Sequence, residues 1–304
     1  MPVILVTATA RSPAAVARAL TAGANDHVRK PFDPVELRAR VTAARRVGQT
    51  FVRLVDAANK HEGATRELEE AAELQRASLP PVPLRHSGID VVGAVLPASE
   101  LSGDAFDVVH DARGRVSAAL LDAAGHGAAA GLVLSATREA LTSALRDGAS
   151  LDEVARAVER ALGAIGAPLY TSVALGIARA DASRGTVELL NAGLPPLLVS
   201  RSWGAERQQF RSTTLPLGMT PARRIEVVTT SLERRGMVTL VSDGVTGGMP
   251  VAEPIEALLG SALAAQPWHE GGVQRLAETL ARAVGDPPDD DATLVLLRSA
   301  DSGC

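Results

Sequence analysis

Ser102-Gly103-Asp104-Ala105-Phe106-Asp107, Leu121-Asp122-Ala123-Ala124-Gly125-His126-Gly127, Ser242-Asp243-Gly244 and Asp289-Asp290-Asp291-Ala292-Thr293 are the places in this sequence where carboxylates meet small residues beside an apolar run. Taken singly, each has a plain alternative: an Asp-Gly turn, or a solvated acidic loop after Pro287-Pro288. Taken together they define a chemistry. Asp122 and Asp243 each close an apolar run with strand character, where a carboxylate leaves the core and can meet others from neighbouring strands. Clustered carboxylates repel one another unless cations neutralise them, and an all-oxygen donor set favours hard Mg²⁺ or Mn²⁺ over softer metals. Two such ions about 3.5 to 4 Å apart, bridged by one carboxylate, lower the pKa of a water between them and aim it at phosphorus. His126 has a reference pKa of about 6.5, suited to a general acid. Lying between Gly125 and Gly127, it also reads as a solvated loop residue, the glycines letting the chain turn from strand to helix.

Carboxylates at strand ends need a sheet to hold them. From Ile89 onward the pattern predicts strands over 89–96, 106–111 and 115–122, the last two joined by a turn at Ala112-Arg113-Gly114. Helices follow over 128–146 and 151–162, and the run from Ala128 to Leu134 reads as a packed helix face. Strands are predicted next at 171–180 and 186–191, after Pro196, and at 224–230 and 237–242. Helices at 251–265 and 272–284 and a final strand at 293–298 close the pattern. Consecutive hairpins with paired helices inserted give an α+β sandwich, not an alternating parallel sheet.

Two segments precede this region. In residues 1–46, Val3-Ile4-Leu5-Val6 predicts a buried strand ending at Thr7-Ala8. Ser12-Pro13 caps a helix closed by Gly23, a short strand lies around His27-Val28, and Asp33-Pro34 opens a helix to Arg46. Residues 47–79 form a helical linker. Val47, Leu54, His61 and Leu68 stand seven apart, with Thr50, Ala57, Ala64 and Ala71 three residues after each, a thin heptad seam open to two readings, a marginal parallel coiled coil that pairs two chains as a homodimer and a solvated single helix. Gly63 weakens that helix by about 1 kcal/mol relative to Ala. Pro80-Pro81-Val82-Pro83 stops it, and the acidic clusters all fall within 85–300.

The order and spacing of the acidic clusters resemble the PPM-type, metal-dependent Ser/Thr phosphatases, and within them the SpoIIE/RsbU branch of bacterial stress and sporulation regulators. Further matches are Glu73-Leu-Gln-Arg-Ala-Ser-Leu-Pro, Pro97-Ala-Ser-Glu-Leu-Ser-Gly-Asp-Ala-Phe-Asp, Asn191-Ala-Gly-Leu-Pro-Pro-Leu-Leu, Leu215-Pro-Leu-Gly and the closing Asp-Asp-Ala-Thr. The resemblance implies a layered α/β/β/α sandwich and two Mn²⁺ or Mg²⁺ ions. It makes Asp122 the bridging ligand, with the Ala123 carbonyl, Asp104, Asp243 and Asp290 completing the set, and Asp107 and Asp291 orienting ligands or waters. Asp122 and Asp243 would act in catalysis through a metal-activated water, with His126 as a weaker candidate. The implied substrate is a phosphorylated anti-anti-sigma factor of the STAS type. The sequence departs from the branch in three places: Ser102 replaces a glycine, Leu194 replaces a histidine, and no acidic residue follows Asp243-Gly244 at Thr246-Gly247-Gly248.

The front segment resembles the end of a response-regulator receiver domain. Val3-Ile-Leu-Val-Thr-Ala matches that family's fourth strand with its switch Thr, and Gly23-Ala-Asn-Asp-His-Val-Arg-Lys-Pro-Phe its fifth strand and Lys-Pro turn. Thr7 and Lys30 fall on the switch and phosphate-contacting positions. The family's phosphoacceptor Asp lies on earlier strands, so a truncated, inert receiver is expected.

Composition narrows the alternatives. Of 304 residues, 46% are hydrophobic and 22% charged, which excludes a wholly disordered chain. Only 4 Phe, 2 Trp and 1 Tyr are present, too few for a base-stacking surface. Residues 1–46 carry 8 Lys/Arg against 3 Asp/Glu, leaving 23 against 32 for the remainder, so no nucleic-acid partner is expected. The single cysteine, Cys304, allows no internal disulfide, and neither an export signal nor a membrane-spanning run is found, which points to the cytoplasm. Two other functions remain open. One is a catalytically silent phosphatase fold that binds phosphoproteins. The other is a receiver-linked nucleotide cyclase, because Ser102-Gly103-Asp104-Ala105-Phe106 resembles a degraded Gly-Gly-Asp-Glu-Phe motif.

Overall fold

The computed structural model describes residues 4–7, 26–30, 33–35, 37–38, 41–42, 65–125, 127–165, 172–201, 207–219, 225–247, 258–263, 267–269, 271–285 and 288–300. The chain divides into two compact units, Met1–Glu67 and Leu68–Cys304. In the first, β1 (Ile4–Thr7) and β2 (Asp26–Arg29) pair in parallel, Ile4 opposite Asp26 and Thr7 opposite Arg29. A parallel pair needs a crossover between its strands. The expected helix over 14–22 and the linker stretch 47–64 fall outside the described residues.

The second unit begins with helical residues 68–77 and continues through β3 (Leu84–His86), β4 (Ile89–Leu96), β5 (Asp104–His110) and β6 (Val116–Ala123). Helices α1 (Gly127–Arg146) and α2 (Leu151–Ile165) follow. Then come β7 (Val173–Asp181), β8 (Thr186–Ala192), β9 (Leu197–Ser200), β10 (Arg207–Phe210), β11 (Val227–Ser231) and β12 (Met237–Val241). Helix α3 (Gly272–Val284) and β13 (Ala292–Ser299) end it. Strands β3 and β10 were not foreseen. Both are short edge strands, and Arg207-Gln208-Gln209-Phe210 carries little of the β-branched alternation that marks a strand.

The strands form two antiparallel sheets, one of six in the order β10-β9-β12-β13-β4-β3 and one of five in the order β11-β8-β7-β6-β5. Alternation assigns each strand's residues to two layers. On β6, Ala119, Leu121 and Ala123 join α1 and α2 in an outer layer, while Ala118 and Leu120 point between the sheets with Phe106 of β5 and Val295 and Leu297 of β13. On the opposite outer face, Leu294 and Leu296 of β13 pack with Leu276 and Leu280 of α3. Helices therefore cover both outer faces of an α/β/β/α sandwich. Close sheet packing is visible at Gly93 of β4, where a Cβ would lie 2.8 Å from the Phe106 ring.

One expectation is corrected. The run from Ala128 to Leu134 is only half packed: Ala130, Gly131, Val133 and Leu134 are buried, whereas Ala128 and Ala129 are exposed and Leu132 is 74% exposed. A 3.6-residue period can bury only one face of a helix that lies on a sheet, and Gly/Ala-rich composition hides which face that is.

Candidate metal centre

The inward rows of four strands change from apolar to polar at one end of the sandwich. Phe106 is followed inward by Asp104 on β5, Leu120 by Asp122 on β6, Leu240 by Ser242 just past β12, and Val295 by Thr293 on β13. Asp104 and Asp122 are directly opposed across β5 and β6, an arrangement of like charges that destabilises a sheet.

The other acidic residues sit on backbone that this end holds tightly. Asp243 opens a 3₁₀ turn, Asp243–Val245, immediately after β12. A Cβ on Gly244 would collide with the Asp291 carbonyl oxygen, so only glycine lets this turn rest on the Asp290-Asp291 backbone. Ser242 joins the same two segments: its Oγ accepts from the Thr293 N–H at 2.8 Å and donates to the Asp291 carbonyl at 3.3 Å. Asp290 Oδ1 accepts from the Asp291 N–H at 2.8 Å. Asp291, itself buried, accepts from the Ala98 N–H at 2.7 Å and the Gly103 N–H at 2.6 Å, drawing the loop before β5 across the end of the sandwich. The Gly103 carbonyl in turn accepts from the Ala123 N–H at 2.9 Å. Ser102 has found a use for its hydroxyl, which accepts from the Asp104 N–H at 3.0 Å.

Burial and mutual repulsion dominate the electrostatics. Asp104 is pushed well above the usual carboxylate range, first by burial and then by the charge of Asp122, against the pull of the Ser242 and Thr293 hydroxyls. Asp122 is raised to about 7, first by burial and then by the charges of Asp243 and Asp290. Asp243 is raised by burial and by Asp290, and partly offset by the Gly244 N–H. The structure thus brings Asp104, Asp122, Asp243 and Asp290 into one electrostatic cluster drawn from both sheets. Among the described residues, no three His, Cys, Asp or Glu side chains already stand as a closed cage. Asp122 and Asp243 lie close enough to share a hydrogen bond, which raises Asp122 and lowers Asp243, so the members of the cluster act strongly on one another. The all-oxygen donor set and the buried, unpartnered Asp104 Oδ2 fit a hard divalent cation.

Asp107 and Asp291 prove to differ. Asp291 orients the Gly103 loop, but Asp107 lies on the opposite face of β5 from Asp104 and pairs with Arg138 of α1 through two bonds of 2.8 Å. Arg138 also donates to Ser78 Oγ at 2.8 Å and to the Ser78 carbonyl at 3.0 Å. Gln75 donates to the Ser102 carbonyl at 2.7 Å and accepts from the Ser102 N–H at 2.9 Å, one residue from Gly103. The roles of Arg138, Ser242 and Thr293 were not anticipated from the sequence. A polar residue at an inward position of an apolar strand was the available signal for Thr293. His126 lies outside the described residues, between Gly125 and Gly127, whose φ values of 94° and 73° suit glycine alone. Ser102-Gly103-Asp104-Ala105-Phe106 enters β5 from a loop, which carries Asp104 into the carboxylate cluster.

Solved structures share this architecture. The RsbU and RsbW domains of a Mycobacterium tuberculosis protein match with a TM-score of 0.61 at 24% identity, over 72% of this chain and 63% of that one. The SiaA-PP2C domain of Pseudomonas aeruginosa matches with a TM-score of 0.61 at 20% identity, over 78% of this chain and 98% of that one. The PP2C phosphatase domain of SpoIIE from Bacillus subtilis, with a fragment of its regulatory domain, matches with a TM-score of 0.55 at 21% identity, over 69% and 62%. This chain therefore spans less than two thirds of the first and third of these proteins, and at such identities the likeness establishes the PP2C phosphatase fold. Residues 112–300 match the family model of stage II sporulation protein E, and the chain belongs to the SpoIIE family. No curated protein matches it.

Proposed function

We propose that this chain is a metal-dependent protein serine/threonine phosphatase of bacterial signalling. One observation carries the reading: Asp104 faces Asp122 across two strands, and burial with Asp243 and Asp290 holds Asp122 at about 7, a strain that bound cations relieve. Asp104, Asp122, the Ala123 carbonyl, Asp243 and Asp290 would hold two Mn²⁺ or Mg²⁺ ions. Bound there, the ions neutralise the carboxylates and supply an activated water for attack on a phosphorylated serine or threonine. RsbX, solved in complex with magnesium, matches with a TM-score of 0.52 at 15% identity. The chain's own contribution is positional. Asp291 fixes the Gly103 loop against Ala123, Ser242 locks the Asp243 turn to β13, and Gly125 and Gly127 turn the chain from β6 into α1.

The substrate in this reading is a phosphorylated STAS-type anti-anti-sigma factor, in keeping with the SpoIIE family match and the RsbU likeness. Residues 1–46 are the end of a receiver domain, in keeping with a parallel β1/β2 pair that puts Thr7 at the end of one strand and Lys30 just past the other. Residues 47–79 link it to the phosphatase domain at 85–300 and pair two chains. No helix among the described residues is long and apolar enough to cross a membrane, and the proposed setting is the cytoplasm. The test is Mn²⁺-dependent hydrolysis of p-nitrophenyl phosphate and of a serine-phosphorylated STAS protein. Hydrolysis that a chelator removes, and that Asp122→Asn and Asp243→Asn each abolish in folded protein, supports the proposal. Full activity in both variants overturns it.

A further inference from the structure

Asp104 Oδ2 and Thr293 Oγ1 are two of the three buried side-chain polar atoms that lack a hydrogen-bond partner among the described residues. Both belong to the same spot between the sheets. Asp104 is 3% exposed and Thr293 fully buried, on facing sheets, and the Thr293 hydroxyl is near enough to favour the charged carboxylate without completing a bond to it. Ser242, the other hydroxyl at this spot, is already engaged with the Thr293 N–H and the Asp291 carbonyl. Thr293 thus has a donor with nothing to receive it, in a place where leaving one unpaired is costly. An inward valine would fill the same volume and continue the Val295 row at no such cost.

We propose that Thr293 is a positioning residue for the metal centre. Its hydroxyl donates to the Asp104 carboxylate when that group takes up a cation, fixing which oxygen faces the ion. This rests on the metal-dependent reading above. A carboxylate with one oxygen held from behind presents the other at a defined angle, and outer partners of this kind typically change metal affinity by 10- to 100-fold. Because the bond is incomplete in the cation-free protein, the hydroxyl contributes little to its stability.

The test compares the wild type with Thr293→Val and Thr293→Ser, measuring free Mn²⁺ by its electron paramagnetic resonance signal and the melting temperature in chelator. Thr293→Val should weaken Mn²⁺ binding by about tenfold or more, while its chelated form melts no lower than the wild type. Thr293→Ser, which keeps the hydroxyl, should bind within about twofold of the wild type. Wild-type Mn²⁺ affinity in Thr293→Val overturns the positioning role and leaves the metal site standing. So does a Thr293→Val protein that melts lower in chelator in proportion to its lost affinity, which marks a structural role. If Thr293→Val fails to fold, Thr293→Ala takes its place on the same criteria. Absence of Mn²⁺ binding by the wild type overturns the underlying reading and the positioning role with it.

Discussion

Removing the Asp122 carboxylate should stabilise the cation-free protein, and the gain should depend on pH. In an unfolded chain an Asp titrates near 3.9, whereas in the fold Asp122 is raised to about 7, first by burial and then by Asp243 and Asp290. Below about pH 3.9 both states carry the proton and the group contributes nothing. As pH rises toward 7 the unfolded chain releases its proton first, so stability is lost progressively, and above about 7 the whole penalty applies. At about 1.4 kcal/mol for each pH unit between the two values, keeping Asp122 ionised costs on the order of 4 kcal/mol. Asn keeps the shape and drops the charge, though its amide must still be buried, so a net gain of about 2 to 3 kcal/mol is expected at pH 8.5. In a domain of this size that raises the melting temperature by about 5 to 10 °C. Calorimetry in chelator at pH 4 and pH 8.5 checks it: the variant should fall about 1 to 2 kcal/mol below the wild type at the lower pH, where only the amide's burial cost remains, and exceed it at the higher. Saturating Mn²⁺ should then raise the wild type, by about 2.7 kcal/mol at a hundredfold excess over Kd, and leave the variant unmoved. A variant less stable than the wild type in chelator at pH 8.5, or a difference unchanged between the two pH values, would refute the reasoning.

Three other perturbations separate positioning from ligation. Asp291→Ala removes the acceptor of the Ala98 and Gly103 N–H groups, so it should cost about 2 to 4 kcal/mol in chemical denaturation and lower phosphatase activity by about 10- to 100-fold. Arg138→Ala strands the buried Asp107 carboxylate and should destabilise by about 3 to 5 kcal/mol in urea titration, a loss that Asp107→Asn in the same chain partly restores. Gly244→Ala drives a Cβ into the Asp291 carbonyl, so Mn²⁺ binding measured by calorimetry should fall even with all four carboxylates intact.

The difference between what the sequence disclosed and what it concealed is a difference between local and cross-sheet information. The strand β4 is marked by its own composition, Ile89 to Leu96, and α3 by a strongly amphipathic run between Gly271 and Gly285, so both were read with their bounds. Asp122 and Asp243 were found because each interrupts an apolar run at its end, a signal a single strand carries by itself. Asp107 shows where that logic fails. It sits three residues after Asp104 in the same motif, yet the two-residue alternation of β5 turns it to the opposite face, where Arg138 from α1 receives it. Nothing adjacent to Asp107 announces an arginine 31 residues away. Thr293 and Ser242 were hidden for the same reason: each is an unremarkable strand residue until β12 and β13 are set beside one another and across from β5. Their hydroxyls then become the polar floor beneath Asp104. Residues that would touch an ion must be acidic and can be sought by type. Residues that hold those acids in place need only reach them, and the sheets that decide who can reach are assembled from distant segments, as the Asp291 bond to Gly103, 188 positions away, shows.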